Sequence, residues 1–149
     1  MTQGKCLQEI HNPEGVCFGC GSTNPEGLHL RSFLGDGAVV AEWMPGPNHR
    51  SFPGVLNGGI IGTLLDCHSN WAAVVALMES TGEFGMTVTA NYAVTLVRPT
   101  SSDHPVQLRS WVTNLEGRRA SVAATLSSGG EICATSEGTF VRPRVPFGT

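Results

Sequence analysis

The sequence predicts an α+β domain in which a curved antiparallel sheet wraps one long, central, buried helix. Asn57 to about Glu79 contains no proline and repeats apolar residues at helical spacing on two faces. Ile61, Leu64, Leu65, Ala72 and Val75 mark one face, and Ile60, Cys67, Trp71, Val74 and Met78 the other. A helix apolar on most sides is one that the rest of a chain surrounds, and at 1.5 Å per residue this one reaches roughly 30–35 Å. Segments rich in Thr and Val follow it, the last three joined by tight turns, which is the pattern of an antiparallel meander. Two further strand-like segments precede it. The sum is a sheet of five to six strands around a core helix.

The elements read in order as follows. Residues 1–27 are rich in Gly, Pro and Asn, show no periodicity, and form an irregular lead-in. Leu28, Leu30 and Phe33 alternate with polar residues, Gly35-Asp36-Gly37 turns the chain, and Ala38 to Trp43 returns as a strand. Met44 to Leu56, with three prolines and two glycines, is a loop. The helix stops at Ser80-Thr81-Gly82. Gly85–Val97, Val106–Leu115, Arg119–Ser127 and Glu131–Val141 are the later strands, turned by Glu116-Gly117-Arg118 and Ser128-Gly129-Gly130. One domain over residues 28–142 and a Pro-rich tail over 143–149 complete the plan.

Composition narrows the function. Among 149 residues, 40% are hydrophobic and 14% charged, with a formal charge of −3. Nucleic-acid binding needs a basic face, and a low charge density with a mildly acidic balance argues against one. No apolar run of signal-peptide length follows the start, and no segment is expected to span a bilayer, which takes roughly 20 apolar residues. Five cysteines, odd in number and unevenly spaced, make no disulfide framework, so reduced thiols and a cytoplasmic location are expected.

Asp66 is the anomaly. No other acidic residue stands in the helix before Glu79, and Gly59, Gly62, Ser69 and Ala73 share its face. Glycine inside a helix costs roughly 1 kcal/mol against alanine. Two on one strip therefore signal close approach to the backbone by a ligand, another chain or a strand. Asp66 either anchors a polar network or buried ion pair, or is a carboxylate kept there as general base or nucleophile. Asn57-Gly58-Gly59 opens the helix. Asn is a good N-cap, and the first turn carries N–H groups that can hold a developing oxyanion.

Other signals are weaker. Cys17-x-x-Cys20 invites a metal, but no second pair stands at finger spacing, and Cys6 with His11 would complete an unusual set, so no metal is expected. Cys67 and His68 follow Asp66 directly, point about 100° apart on a helix, and cannot form a triad with it. They read as core or interface residues. His49 is a candidate for the pocket mouth or a solvated loop histidine. Trp43, Trp71 and Trp111 read as core or contact residues.

Val55-Leu56-Asn57-Gly58-Gly59-Ile60-Ile61-Gly62-Thr63-Leu64-Leu65-Asp66 resembles the His-Gly-Gly…Leu-Asp signature of hotdog-fold acyl-CoA thioesterases of the phenylacetate-pathway, PaaI-like type. Cys17-Phe18-Gly19-Cys20-Gly21, with Asn24-Pro25 and Gly27-Leu28, is similar to the lead-in of one subgroup. Thr87-Val88-Thr89-Ala90-Asn91 to Arg98-Pro99 is similar to the long strand after the helix. The resemblance implies a hotdog fold, a homodimer or a tetramer of paired dimers, and active sites at the protomer boundary. It implies hydrolysis of a small, medium or aryl acyl-CoA without cofactor. Asp66 would be the catalytic carboxylate, the Gly58 N–H would polarise the thioester carbonyl, and Thr89 would position water from across the interface. Gly59 and His49 would line the substrate site, and Arg98, Arg118 and Arg119 are candidates for the coenzyme A phosphates. Asn57 stands where the family usually has His, and an amide cannot shuttle a proton. A non-catalytic acyl-CoA binder is thus the alternative. A hydratase on the same fold would want a His five residues beyond the Asp, and this chain has Trp71 there.

Overall fold

The computed structural model describes residues 4–147; the first three and last two residues of the predicted lead-in and tail lie outside the described residues. The elements run α1 (Leu7–His11), β1 (Phe33–Leu34), β2 (Val39–Trp43), β3 (Arg50–Phe52), β4 (Val55–Leu56), α2 (Gly58–Thr81), β5 (Val88–Leu96), β6 (Val106–Glu116), β7 (Arg119–Ser128) and β8 (Glu131–Val141). Six of the strands form one antiparallel sheet in the order β1-β2-β6-β7-β8-β5. Five of them, β2 and β5 to β8, touch α2. This is the hotdog architecture: a long helix wrapped by a curved antiparallel sheet.

Alternation along the strands makes the wrap. Ala120, Val122, Ala124 and Leu126 of β7 and Val106, Leu108 and Ser110 of β6 face inward and are buried. β6 and β7 pack on α2, where Leu64, Leu65 and Val74 are fully buried. The helix is capped at both ends. Asn57 accepts hydrogen bonds from the N–H groups of Gly59 (2.8 Å) and Ile60 (3.1 Å). Gly82 closes the other end at φ 77°, a left-handed conformation that favours glycine.

Three expectations are corrected. Leu28 and Leu30 are buried, but their N–H groups bond to the carbonyls of Phe18 and Gly19 in the lead-in, and the sheet strand is confined to Phe33–Leu34. The Met44–Leu56 loop carries the two-stranded ribbon β3–β4. And α2 is, by length and composition, long and apolar enough to cross a membrane; 72% of its most apolar window is buried inside the fold, so packing accounts for the apolarity. The lead-in also contains the short helix α1, with Cys6, Leu7 and Gln8 buried.

Gln8 belongs to a buried polar chain that fixes His68 as a structural residue. His68 is fully buried, and its Nε2 lies 2.8 Å from the Val39 carbonyl, which can only accept. Nε2 therefore carries the proton, and Nδ1 accepts from Ser32 Oγ at 2.9 Å. Ser32 Oγ in turn accepts from Gln8 Nε2, and Gln8 Oε1 accepts the Ser32 N–H. Such a ring must stay neutral. Burial lowers its pKa to about 4, with the bond to Val39 opposing.

The unfolded chain, with histidine near 6.5, binds more protons than the native one between about pH 4 and 6.5. The contribution of neutral His68 is thus complete above about pH 6.5 and is lost as pH falls toward 4, a change of about 3 kcal/mol. Urea titrations across this window should show a steeper acid loss for the native chain than for His68→Gln. Equal slopes would assign the loss to other groups.

Candidate active site

The carboxylate of Asp66 is held from one side. Its Oδ1 accepts a hydrogen bond from Thr89 Oγ1 at 2.6 Å and one from Asn70 Nδ2 at 3.2 Å. Asn70 Nδ2 also reaches Thr89 Oγ1 at 2.9 Å, and Asn70 Oδ1 accepts from Thr87 Oγ1 at 2.8 Å. Among the described residues Oδ2 accepts no hydrogen bond, and the group is half-buried. Desolvation raises the carboxyl above its ordinary pKa, the Thr89 bond opposes this, and charge on Cys17 adds to it. The result is an oriented acid with one free oxygen.

Thr89 reaches Asp66 within the same chain, which corrects the expectation that it acts from across an interface. A bulge in β5 explains the aim. The register shifts between Thr89 and Asn91, leaving Ala90 unpaired against β8. Side chains alternate along a strand, so the extra residue lets Thr87 and Thr89 before it, and Tyr92, Val94 and Leu96 after it, all face α2. Tyr92 accounts for one glycine of the strip, Gly62, and Leu96 lies over the neighbouring Gly58, whereas a Cβ on Gly59 would meet only the Asn57 side chain. A Cβ on Gly62 would lie 3.7 Å from the Tyr92 hydroxyl, and one on Gly58 would lie 3.3 Å from Leu96 Cδ1. What approaches the helix backbone there is a strand.

At the start of α2, the Asn57 side-chain oxygen is committed to Gly59 and Ile60. The Gly58 N–H, first in the helix, has no intrahelical acceptor, and among the described residues no other acceptor holds it. Gly58 is half-buried and Gly59 exposed. Gly58 and Asp66 are eight residues apart, a rise of about 12 Å. Within one chain they cannot address the same carbonyl group.

The structure separates the remaining candidates. His49 accepts from the Gly46 N–H through Nδ1 (2.8 Å), packs on Trp43 at 5.1 Å between ring centroids, and accepts the Asn57 N–H through its carbonyl (2.9 Å). It holds the loop to the helix start. Arg98 pairs with Glu131 and donates to the Ile132 carbonyl, at one end of β8. Arg118 donates to the Arg142 carbonyl, and Arg119 pairs with Val141, at the other end. Eleven residues of strand put about 35 Å between them. Arg98 stands toward the Gly58 end of α2 and Arg119 toward the Asp66 end.

Asn70 and Thr87 were missed as site residues. Asn70 had a legible signal, since it lies one turn from Asp66 on the same face. Cys67 was missed as a neighbour of Cys17 and Cys20; it meets them across 50 residues of sequence, with Cys17 Sγ and Cys67 Sγ at 3.6 Å.

Solved structures resemble this one closely. A thioesterase superfamily protein from Shewanella loihica PV-4 is 28% identical over 76% of this chain and 90% of its own, with a TM-score of 0.67. A protein from Thermus thermophilus is 26% identical over 78% and 93%, with a TM-score of 0.61. A putative thioesterase of Ralstonia eutropha JMP134, described as phenylacetic acid degradation-related, shares the fold at 21% identity and a TM-score of 0.64, over 76% of this chain and 85% of its own. No protein-family model matches the chain, and no curated protein is significantly similar to it.

The cap gives a direct test of the helix start. Asn57→Ala should lower stability by about 1 kcal/mol in urea unfolding, and Asn57→Asp by less than half of that. Equal losses would mean that the cap oxygen is not what Asn57 contributes.

Proposed function

We propose that this chain, a hotdog-fold protein resembling the PaaI-like thioesterases, is a homo-oligomeric thioester hydrolase acting on a small, medium or aryl acyl-CoA. The observation that carries the reading is the Asp66 carboxylate, fixed through one oxygen by Thr89 and Asn70 and free at the other.

The second half of the site comes from a second copy. β5 is an edge strand, paired on one side with β8 and open on the other. It is nine residues long and exposes Tyr92 and Leu96, with Val97 just beyond its end. An open apolar edge is a template for pairing with another chain. Residue numbers along β5 rise as those of the facing α2 fall, since Thr89 meets Asp66 and Leu96 meets Gly58. A two-fold axis near the middle of β5 would set Thr89 and Asp66 of one protomer beside Leu96 and Gly58 of the other. The 12 Å that separates the two groups within a chain is thereby bridged between chains.

In that arrangement the thioester carbonyl oxygen receives the Gly58 N–H of the partner subunit, at the positive end of its helix. A water hydrogen-bonded to the free oxygen of Asp66 attacks the carbonyl carbon, giving up its proton to the carboxylate. Collapse of the tetrahedral adduct breaks the C–S bond, and the proton passes from Asp66 to the departing coenzyme A thiolate. The products are a carboxylic acid and coenzyme A. Asn57 takes no proton; it fixes the helix start that presents the Gly58 N–H. Arg119 from the Asp66 side and Arg98 from the Gly58 side would flank the same bound molecule and meet its phosphates. Gly59, exposed beside the cap, leaves room for the acyl thioester.

A second reading has its own observation. Asn57 is committed as a cap where the family usually has a histidine, which favours a protein that binds acyl-CoA without turning it over.

Thiol release, followed with a chromogenic disulfide across short, medium, long and aromatic acyl-CoAs, distinguishes the two. Turnover is expected, with kcat at least about 100-fold lower in Asp66→Asn while the circular dichroism and oligomeric state are unchanged. A folded Asp66→Asn protein with native kcat would defeat the hydrolase mechanism. Saturable acyl-CoA binding with no thiol release from the native chain would establish the binder.

A further inference from the structure

We propose that Cys17, Cys20 and Cys67 form a three-thiolate site for a soft divalent cation, Zn2+, that ties the lead-in to α2 beside Asp66. The three sulfurs lie within 4.8 Å of one another, and Cys17 Sγ and Cys67 Sγ stand at 3.6 Å. Zn–S bonds of about 2.3 Å at tetrahedral angles set sulfurs about 3.8 Å apart, which the Cys17–Cys67 separation approaches and the 4.8 Å bound on the others allows. A disulfide uses two sulfurs at about 2.05 Å and would leave the third without a partner.

The surroundings are built for the convergence. A Cβ on Gly19 would lie 2.3 Å from Cys67 Sγ, so only glycine lets that sulfur into the loop. A Cβ on Gly21 would lie 2.4 Å from the Cys17 nitrogen, where the Gly21 N–H closes the turn on the Cys17 carbonyl at 2.8 Å. Trp71, one turn from Cys67 on α2, is 1% exposed, and among the described residues its indole Nε1 has no hydrogen-bond partner. A buried donor left unpartnered there is available as the outer support that a metal thiolate takes. Cys20 and Cys67 are buried and Cys17 is exposed, which leaves the fourth corner facing solvent.

The site concerns the anchoring of the lead-in, and its test does not read hydrolysis. Its test uses the reduced full-length chain, titrated with Zn2+ and with Co2+. About one equivalent should bind, with thiolate-to-cobalt charge-transfer absorption, and the melting temperature should rise with Zn2+ concentration. Cys17→Ser, Cys20→Ser and Cys67→Ser should each weaken Zn2+ binding by more than about 100-fold, and Cys6→Ser and Cys133→Ser should leave it unchanged. Cys17→Ser, at an exposed position, keeps the comparison valid if the buried variants fold poorly. No Zn2+ binding by the reduced chain, binding indifferent to these three serines, or a Cys17–Cys67 or Cys17–Cys20 disulfide that persists in place of the metal would overturn the proposal.

Discussion

A helix of 24 residues that is apolar on nearly every side cannot stand in water, and burying α2 organises this molecule. The sheet covers most of it through the inward residues of β2, β6, β7 and β8. β5 covers what is left, laying Tyr92 and Leu96 over the glycines at the N-terminal half. That strand lies against the helix there, and its far edge remains open. The same packing that completes the core therefore leaves a strand with one unpaired edge beside the two groups of the proposed site.

Polar groups inside such a helix have two possible fates, and α2 shows both. His68 points into the core, with each ring nitrogen engaged, by Ser32 and by Val39. It has nothing left to offer a ligand. Asp66, two residues earlier, points toward β5, where Thr89 and Asn70 engage one oxygen. A fully satisfied buried group reads as architecture, whereas a group oriented by its neighbours and left with a free acceptor reads as chemistry. This contrast is the structural reason that Asp66, and not His68, is the candidate for chemistry.

The extent of α2, its Asn57 cap, the meander and the peculiarity of Asp66 were legible because each rests on local pattern: helical spacing, turn residues, strand alternation. What was not legible depends on distant partners. Leu28 and Leu30 alternate like a strand, yet they pair with the lead-in, since alternation reports burial and not the identity of the neighbour. Thr89 was placed across an interface by the family resemblance, and the bulge at Ala90, which turns it onto its own Asp66, leaves no mark in composition. Cys67 looked like plain core, and only the fold brings it to Cys17 and Cys20. The Gln8–Ser32–His68 chain likewise joins three segments that nothing in the sequence links.

The central claim is that each site is completed by two chains, with Asp66 from one and the Gly58 N–H from the other. Gly58→Pro removes that N–H at the one helical position where proline is readily accepted, and Asn57 already has the extended backbone that a following proline requires (φ −64°, ψ 134°). The decisive measurement is the thioesterase activity of mixed oligomers formed by co-expressing Gly58→Pro and Asp66→Asn chains, each inactive alone. Shared sites predict recovery of about a quarter of the native activity, since half of the pairs are mixed and each mixed pair holds one intact site. Mixed oligomers as inactive as their parents would contradict the account.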